Sequence, residues 1–139
     1  IQRWNLKEKV RVLEPISRGE LYQFLPKYDI GIAPFVRTFR NSEQGCCPIK
    51  LLDYLSHGLP VLASRLEITE PFLQEAVNGY FFEANSHISF RTSLAEILSD
   101  PPDRTKVSVR ARDSLQGIPS WDEYSMKLLE LYQSLSACR

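Results

Sequence analysis

The sequence shows little that is typical of several large protein classes. Basic and acidic side chains number 17 each, so no excess charge favours nucleic acid or an anionic membrane. No apolar run approaches the roughly 20 residues that span a bilayer, and no secretory signal is recognisable. The Gly-x-Gly-x-x-Gly and P-loop phosphate motifs are missing, as is an Asp-x-Asp metal motif. We therefore expect no nucleic-acid partner, no transmembrane segment and no common dinucleotide or P-loop site.

Cysteine is also rare, and its spacing excludes two kinds of stabilised fold. Cys46, Cys47 and Cys138 fit neither a disulfide framework nor a zinc site. We interpret the adjacent Cys46 and Cys47 as free thiols in a reducing compartment, and we expect a cytoplasmic protein. The length and the 43% hydrophobic content suit a single domain, residues 1–139, with a real core. Because the sequence starts with Ile1 rather than Met, we expect it to be a piece of a longer protein.

What the sequence does contain is an alternation of strand-like and helix-like segments. Short apolar runs of strand length occur at residues 10–13, 29–35, 61–63 and 80–82. Helical patterns occur at residues 17–28, 48–57, 69–78, 86–100 and 105–115. The run at residues 29–35 is almost continuously apolar, which is typical of strands covered on both faces in a parallel sheet. The alternation predicts an α/β fold with a Rossmann-like parallel sheet of about four strands flanked by helices.

Helix-capping side chains mark several of these boundaries. Ser17 with Glu20 and Ser120 with Glu123 have the capping-box spacing, in which each side chain accepts a hydrogen bond from the backbone of the other. The helix that begins after Ser120 carries apolar side chains at helical spacing, which we interpret as core packing rather than a binding surface: Tyr124, Leu128, Leu131 and Leu135.

Residues 46–64 carry the densest set of such signals. Pro48 suits the first helical position, Gly58 suits the left-handed residue after the helix, and Pro60 prevents the helix from continuing. Lys50 in the first turn faces the positive end of the helix dipole, which is unfavourable unless an anion such as phosphate binds there. Asp53, one turn later, can accept hydrogen bonds from sugar hydroxyls. The alternative is a solvated helix face with a Lys50–Asp53 pair.

A polar loop at residues 37–47 precedes this helix, and ligands of parallel sheets bind where such loops meet helix starts. Its two arginines, Arg37 and Arg40, either reach an anion held at the helix or are simply solvated. Two histidines complete the set of candidates. We interpret His57 as a partner of the helix dipole at the carboxyl end, and neither His57 nor His87 has a neighbour in the sequence that would make it a base or a metal ligand.

The central stretch also resembles a family pattern of a proline, a lysine two residues on, an acidic residue three residues later, and then Gly-x-Pro-Val. Here these are Pro48, Lys50, Asp53 and residues 58–61. The pattern is similar to that of the glycosyl transferases group 1, which are nucleotide-sugar-dependent enzymes of the GT-B fold. The order of the surrounding segments is similar from about residue 10 to residue 132, but only this block is specific.

The resemblance implies a carboxyl-terminal donor-binding domain and assigns roles within it. Backbone N–H groups around Cys47, Ile49 and Lys50 would face the diphosphate. Asp53 would hold the ribose hydroxyls in place of the usual glutamate. The implied nucleotide-sugar site is Pro15, Ile16, Cys46, Cys47, Ile49, Lys50 and Asp53, with Pro15 and Ile16 near the nucleobase and with Arg37 and Arg40 as phosphate contacts. The resemblance implies no cofactor and no metal, only a nucleotide-diphosphate sugar as the donor substrate, and it identifies no catalytic residue.

The resemblance also implies that much of an enzyme is absent. A GT-B enzyme has two Rossmann-like domains, and this sequence lacks the amino-terminal acceptor domain and the first strands of the donor domain. We therefore expect the donor-binding part of a hexosyl-transferring glycosyltransferase, inactive as an isolated chain. The missing acceptor domain is its expected partner, and any contact with a membrane surface is expected through that missing part.

The alternative is a non-catalytic Rossmann-like module that packs on a partner without binding nucleotide. Two departures from the family pattern favour it: Gly45 stands where the family has a second glutamate, and Asp53 is one methylene shorter than glutamate.

Overall fold

The centre of the computed structural model, which describes residues 5–100 and 103–136, is a parallel sheet. Within those residues the sheet has three strands in the order β1 (Gly31–Ala33), β2 (Val61–Arg65) and β3 (Gly79–Glu83). In register, Gly31 is opposite Val61, and Val61 is opposite Gly79. The helices are α1 (Arg18–Phe24), α2 (Ile49–Ser56), α3 (His87–Ser99), α4 (Arg104–Asp113) and α5 (Trp121–Ser136). The predicted α/β class with a parallel sheet is confirmed.

The middle strand β2 is covered on both of its faces. Side chains alternate across a strand, so Val61 and Ala63 pack with Leu51 and Leu55 of α2 on one face. On the other face, Leu62 packs with side chains of β3 and α3, Phe82 and Ile97. The four β2 residues from Val61 to Ser64 are almost fully buried, which explains the continuous apolar character of this segment.

The strand predicted at residues 10–13 does not form, and the estimate of about four strands is too high for the described part of the chain. Residues 10–17 form neither a strand nor a helix. Val10 is 42% and Val12 is 76% exposed, so neither contributes to the core. A β-branched run becomes a strand only when a neighbouring strand supplies hydrogen bonds and a surface to pack on. Among the residues that the structure describes, no strand pairs with this run.

The helix predicted at residues 69–78 is also wrong, because a series of turns replaces it. The buried Thr69 hydroxyl accepts from the Leu66 amide at 3.1 Å and donates to the Ser64 carbonyl at 2.7 Å. Farther along, the Asn78 amide side chain accepts from the backbone of Gln74 at 2.7 Å. Such side-chain hydrogen bonds give the backbone an alternative to helical hydrogen bonds. Thr69 and Asn78, which make them, are the same short polar residues that mark the ends of the predicted helix.

The remaining helices start and end close to the predicted residues. Both capping boxes form: the Ser17 amide donates to Glu20 at 2.8 Å, and the Ser120 amide donates to Glu123 at 2.6 Å. The helix α2 starts one residue later than expected, with Pro48 at its N-cap and no side-chain bond there. Gly58 has φ +71°, the left-handed conformation predicted for it.

The interpretation of the last helix as part of the core is wrong. No residue of α5 is buried, and the side chains of its predicted core stripe are each at least half exposed: Tyr124, Leu128, Leu131 and Leu135. Helical spacing shows that apolar side chains share one face, but it does not show whether another element covers that face. No helix in the part of the chain that the structure describes is long and apolar enough to cross a membrane.

Candidate functional site

The segments that follow the three strands meet at the carboxyl edge of the sheet. Arg37, which follows β1, joins all three: its amide donates to the Asn85 side chain after β3 at 3.1 Å. Its guanidinium donates to Glu67 after β2 at 3.4 Å. The pKa of Glu67 is lowered, first by a hydrogen bond from its own backbone N–H and then by Arg37. Arg37 is therefore engaged with neighbouring loops, and its predicted phosphate contact stays a prediction.

The start of α2 is open to solvent. Pro48 is fully buried and Cys46 is partly buried, with its thiol 3.5 Å from the Asn41 side-chain oxygen. Cys47 is exposed, and Ile49 is 63% exposed. The helix α2 has no side-chain cap, but two of its first-turn amides have backbone acceptors: the Ile49 amide donates to the Cys47 carbonyl at 3.0 Å, and the Leu51 amide donates to the Pro48 carbonyl at 2.8 Å. Among the described residues the Lys50 amide has no such backbone acceptor, and an open N–H group at a helix start is the kind of group that binds an anion.

Lys50 and Asp53 point to different neighbours, so the alternative of a Lys50–Asp53 pair is not observed among the ion pairs of the described residues. The Lys50 ammonium lies 5.0 Å from the ring centroid of Phe35, which follows β1. This contact brings the lysine to the carboxyl edge of the sheet. The Asp53 carboxylate instead faces α1, where it lies 3.6 Å from the Arg18 guanidinium and accepts from the Tyr22 hydroxyl at 3.2 Å.

Arg18, Tyr22, Asp53 and His57 form one connected cluster between α1 and α2. The Arg18 Nε donates to the Tyr22 hydroxyl, and this bond, followed by the Asp53 charge, raises the pKa of Arg18. The Tyr22 ring packs on the His57 ring with centroids 4.6 Å apart. His57 Nδ1 lies 2.8 Å from the Asp53 carbonyl oxygen, so His57 closes the carboxyl end of α2 as predicted.

Sequence reasoning missed Arg18 and Tyr22. They are four residues apart on α1, so they share one helical face, and that spacing was the available signal. The packing of that face against α2 depends on tertiary structure.

A shallow cavity of about 380 Å³, wide open to solvent, adjoins the cluster and is lined by Arg18, Tyr22, Leu52, Asp53, Ser56, Leu115 and Ile118. Its walls combine apolar surface with one carboxylate and one guanidinium, a combination that suits a flat ring attached to a polyhydroxylated group. Asp53 retains a side-chain exposure of 17%, so the carboxylate is still accessible from outside. No group of three potential metal-binding side chains occurs among residues 5–100 and 103–136.

Of the remaining residues named from the sequence, Pro15, Ile16 and Arg40 are predicted site residues, whereas His87 and Cys138 are not. Pro15 and Ile16 lie in the irregular segment directly before α1, and Ile16 is 37% exposed. Arg40 is exposed in the short π-helical segment Arg40–Gln44. His87 is exposed at the start of α3, and Cys138 lies outside the described residues. The structure thus brings Lys50 to the sheet edge and Asp53 to α1, and it leaves Arg40 in the loop.

Comparison with solved structures shows the same fold in larger proteins. A sucrose-phosphate synthase from Thermosynechococcus elongatus matches with a TM-score of 0.79 and 18% identity, over 99% of this chain and 33% of that one. The carboxyl-terminal domain of a glycosyl transferase group 1 family protein from Francisella tularensis matches with 0.66 and 16%, over 84% and 57%. Anabaena HepE, solved in complex with UDP and glucose, matches with 0.70 and 13%, over 98% and 34%.

At these identities the likeness shows the fold, which is part of a carboxyl-terminal GT-B domain. The chain spans about a third of the length of most of these proteins, and no curated protein sequence matches it. The sequence profile described as glycosyl transferases group 1 matches residues 1–114, which is most of the chain. The chain therefore belongs to the glycosyl transferases group 1 family.

Proposed function

We propose that the chain is the donor-binding part of a glycosyltransferase and binds a nucleotide-diphosphate sugar whose hexosyl group is transferred to an acceptor. The acceptor side of the active site would come from the part of the enzyme that this chain, at about a third of its relatives' length, does not span. By itself the chain would hold the donor and would not transfer sugar.

The single observation that supports this proposal is that α2 places Lys50 at the edge of the sheet and Asp53 at a cavity beside α1. Its uncapped start and Lys50 lie at the carboxyl edge of the sheet, beside Phe35. One turn farther along, Asp53 lines a cavity with apolar walls. A nucleoside diphosphate needs both features, because its phosphates require N–H groups and a cation, and its ribose requires a hydrogen-bond acceptor beside an apolar surface.

The same arrangement suits the chemistry of donor cleavage. As the bond between the sugar and the diphosphate breaks, negative charge grows on the leaving phosphate. The dipole of α2 and the amide and ammonium groups of Lys50 would lie beside that charge and would stabilise the departing nucleotide. No residue of this chain is assigned as the general base.

The second candidate function is a non-catalytic module that binds no nucleotide. One observation favours it: the Asp53 carboxylate already has two partners, Arg18 and Tyr22, and so resembles a purely structural link between α1 and α2. The two proposals differ in whether any nucleoside diphosphate stabilises the chain.

Thermal unfolding with added nucleotide separates the two proposals. We would measure melting of the chain with UDP, ADP and GDP in turn, taking UDP first because HepE binds it. A ligand at a hundredfold of its Kd adds about 2.7 kcal/mol to the free energy of unfolding. No stabilisation by any of the three would refute the donor-binding proposal.

Matched variants locate the site in the same assay. Lys50→Ala is expected to remove the stabilisation by nucleotide. Lys27→Ala is the control, because the Lys27 ammonium lies over the Phe24 ring much as Lys50 lies over Phe35, at 5.1 Å against 5.0 Å. Equal loss in both variants would mean that the effect is not specific to α2.

A further inference from the structure

The geometry points to Arg18 and Tyr22 as positioning residues for the Asp53 carboxylate in ribose binding. The inference rests on the proposed function and adds two residues, both in α1, to its site. The Tyr22 hydroxyl accepts from Arg18 Nε and donates to Asp53, while a second Arg18 nitrogen lies 3.6 Å from the same carboxylate oxygen. One oxygen of Asp53 is thus held by α1.

Two partners on one oxygen leave the other oxygen for a ligand. An ionised carboxylate has about four acceptor positions, and both of the contacts described here go to Oδ1. Asp53 remains 17% exposed and lines the 380 Å³ cavity. A carboxylate fixed in this way can accept from two adjacent ribose hydroxyls without first losing its side-chain freedom, which is the benefit of preorganisation.

Tyr22 is well placed for this role because it is itself held in position. Its ring packs against His57 at 4.6 Å, and the His57 ring contacts the Asp53 backbone carbonyl at 2.8 Å. The hydroxyl and the ring of Tyr22 therefore contact the two ends of a single turn of α2, and Arg18 covers the ring with its guanidinium 5.2 Å from the centroid. Removing the hydroxyl alone leaves the ring packing in place, so Tyr22→Phe isolates the contact with Asp53.

The test compares a ribonucleotide with its analogue that lacks the ribose hydroxyls. Calorimetric titration would measure the Kd of UDP, ADP and GDP, and of the 2′,3′-dideoxy form of the tightest binder. The proteins are the unmodified chain, Tyr22→Phe, Arg18→Met, Arg18→Lys and the control Tyr132→Phe, whose hydroxyl lies on the exposed helix α5. Arg18 is 71% exposed, so its replacement tests the inference even if Tyr22→Phe folds poorly.

The expected result is a loss confined to the ribonucleotide. Tyr22→Phe and Arg18→Met should raise the Kd of the ribonucleotide about tenfold, the lower end for loss of a hydrogen bond to a charged group. The Kd of the dideoxy form should change less than about twofold. Arg18→Lys should recover part of the loss, and Tyr132→Phe should bind both ligands like the unmodified chain.

Two outcomes overturn the inference and one overturns its basis. Equal weakening of both nucleotides would show that α1 only supports the fold, and no weakening of either would show that Asp53 needs no positioning. If the unmodified chain binds none of the three diphosphates, the proposed function fails and the inference fails with it.

Discussion

Replacing Gly58 by alanine should destabilise the chain strongly, and the structure separates two causes. Gly58 follows α2 with φ +71°, where an L-residue costs about 1–2 kcal/mol. An added Cβ would also stand 2.2 Å from the Ser108 hydroxyl and 3.1 Å from the Ser108 carbonyl oxygen in α4. Relieving such overlap typically costs about 1–3 kcal/mol. The sum, about 2–5 kcal/mol, is a large part of the stability of a small domain.

The assay is urea denaturation of Gly58→Ala followed by circular dichroism, with Ser108→Ala and the double variant completing a cycle. The Ser108 hydroxyl accepts from Arg112 at 2.8 Å, so it moves aside only by giving up that bond. We expect Gly58→Ala to cost about 1 kcal/mol less when Ser108 is alanine. A total loss below about 1 kcal/mol would refute the argument from φ. Strict additivity would refute the argument from the hydroxyl contact.

Three further predictions concern the turn after β2, the helix caps and the thiols. Thr69→Val should cost about 1–3 kcal/mol in urea denaturation because it keeps the volume but leaves the Ser64 carbonyl unpaired, whereas Thr69→Ser should cost less. Capping hydrogen bonds lower the pKa of the carboxyl groups of Glu20, Asp103 and Glu123. These carboxylates contribute to folding stability above their usual pKa values of about 4, and the contribution is lost as pH falls through the lowered values. The melting temperature measured between pH 7 and 3 should therefore decline only on the acid side. Iodoacetamide should label Cys47 before Cys46 by peptide mapping, because Cys47 is exposed and the Cys46 thiol contacts Asn41.

Local signals predicted the elements whose causes are local. The capping boxes at Ser17 and Ser120 depend on side chains three residues apart, and both form. The left-handed Gly58 likewise follows from the absence of a Cβ. By contrast, the run at residues 10–13 needed a strand beside it, and the apolar face of α5 needed an element to cover it. Neither need can be read from the segment alone, so both predictions failed.

In the candidate site, too, some features follow from the local sequence and others depend on tertiary contacts. The binding roles proposed for Lys50 and Asp53 come from their spacing on α2 and from the helix dipole, and they stay predictions. The sequence does not show that the two side chains have different neighbours, because oppositely charged residues three apart on a helix commonly pair with each other. Only the packing of α1 against α2 turns Asp53 toward Arg18 and Tyr22, and only the position of Phe35 after β1 draws Lys50 to the sheet edge.

Because Lys50 and Asp53 contact different neighbours, Pro48 and Gly58 at the two ends of α2 have a role in the proposed site as well as in the fold. Each residue of a helix is rotated by about 100° from the one before, so a slip of one residue in α2 would turn Lys50 away from Phe35 and Asp53 away from α1 together. Pro48 starts the helix at a defined residue and is buried there, and Gly58 ends it where a side chain would strike α4. The two ends therefore fix the rotation of α2, and under the proposed function Lys50 and Asp53 would contact different parts of one ligand only while both ends keep their positions. Loss of nucleotide binding in Gly58→Ala at temperatures where the chain remains folded would be the direct sign of this coupling, and unchanged binding by the folded variant would contradict it.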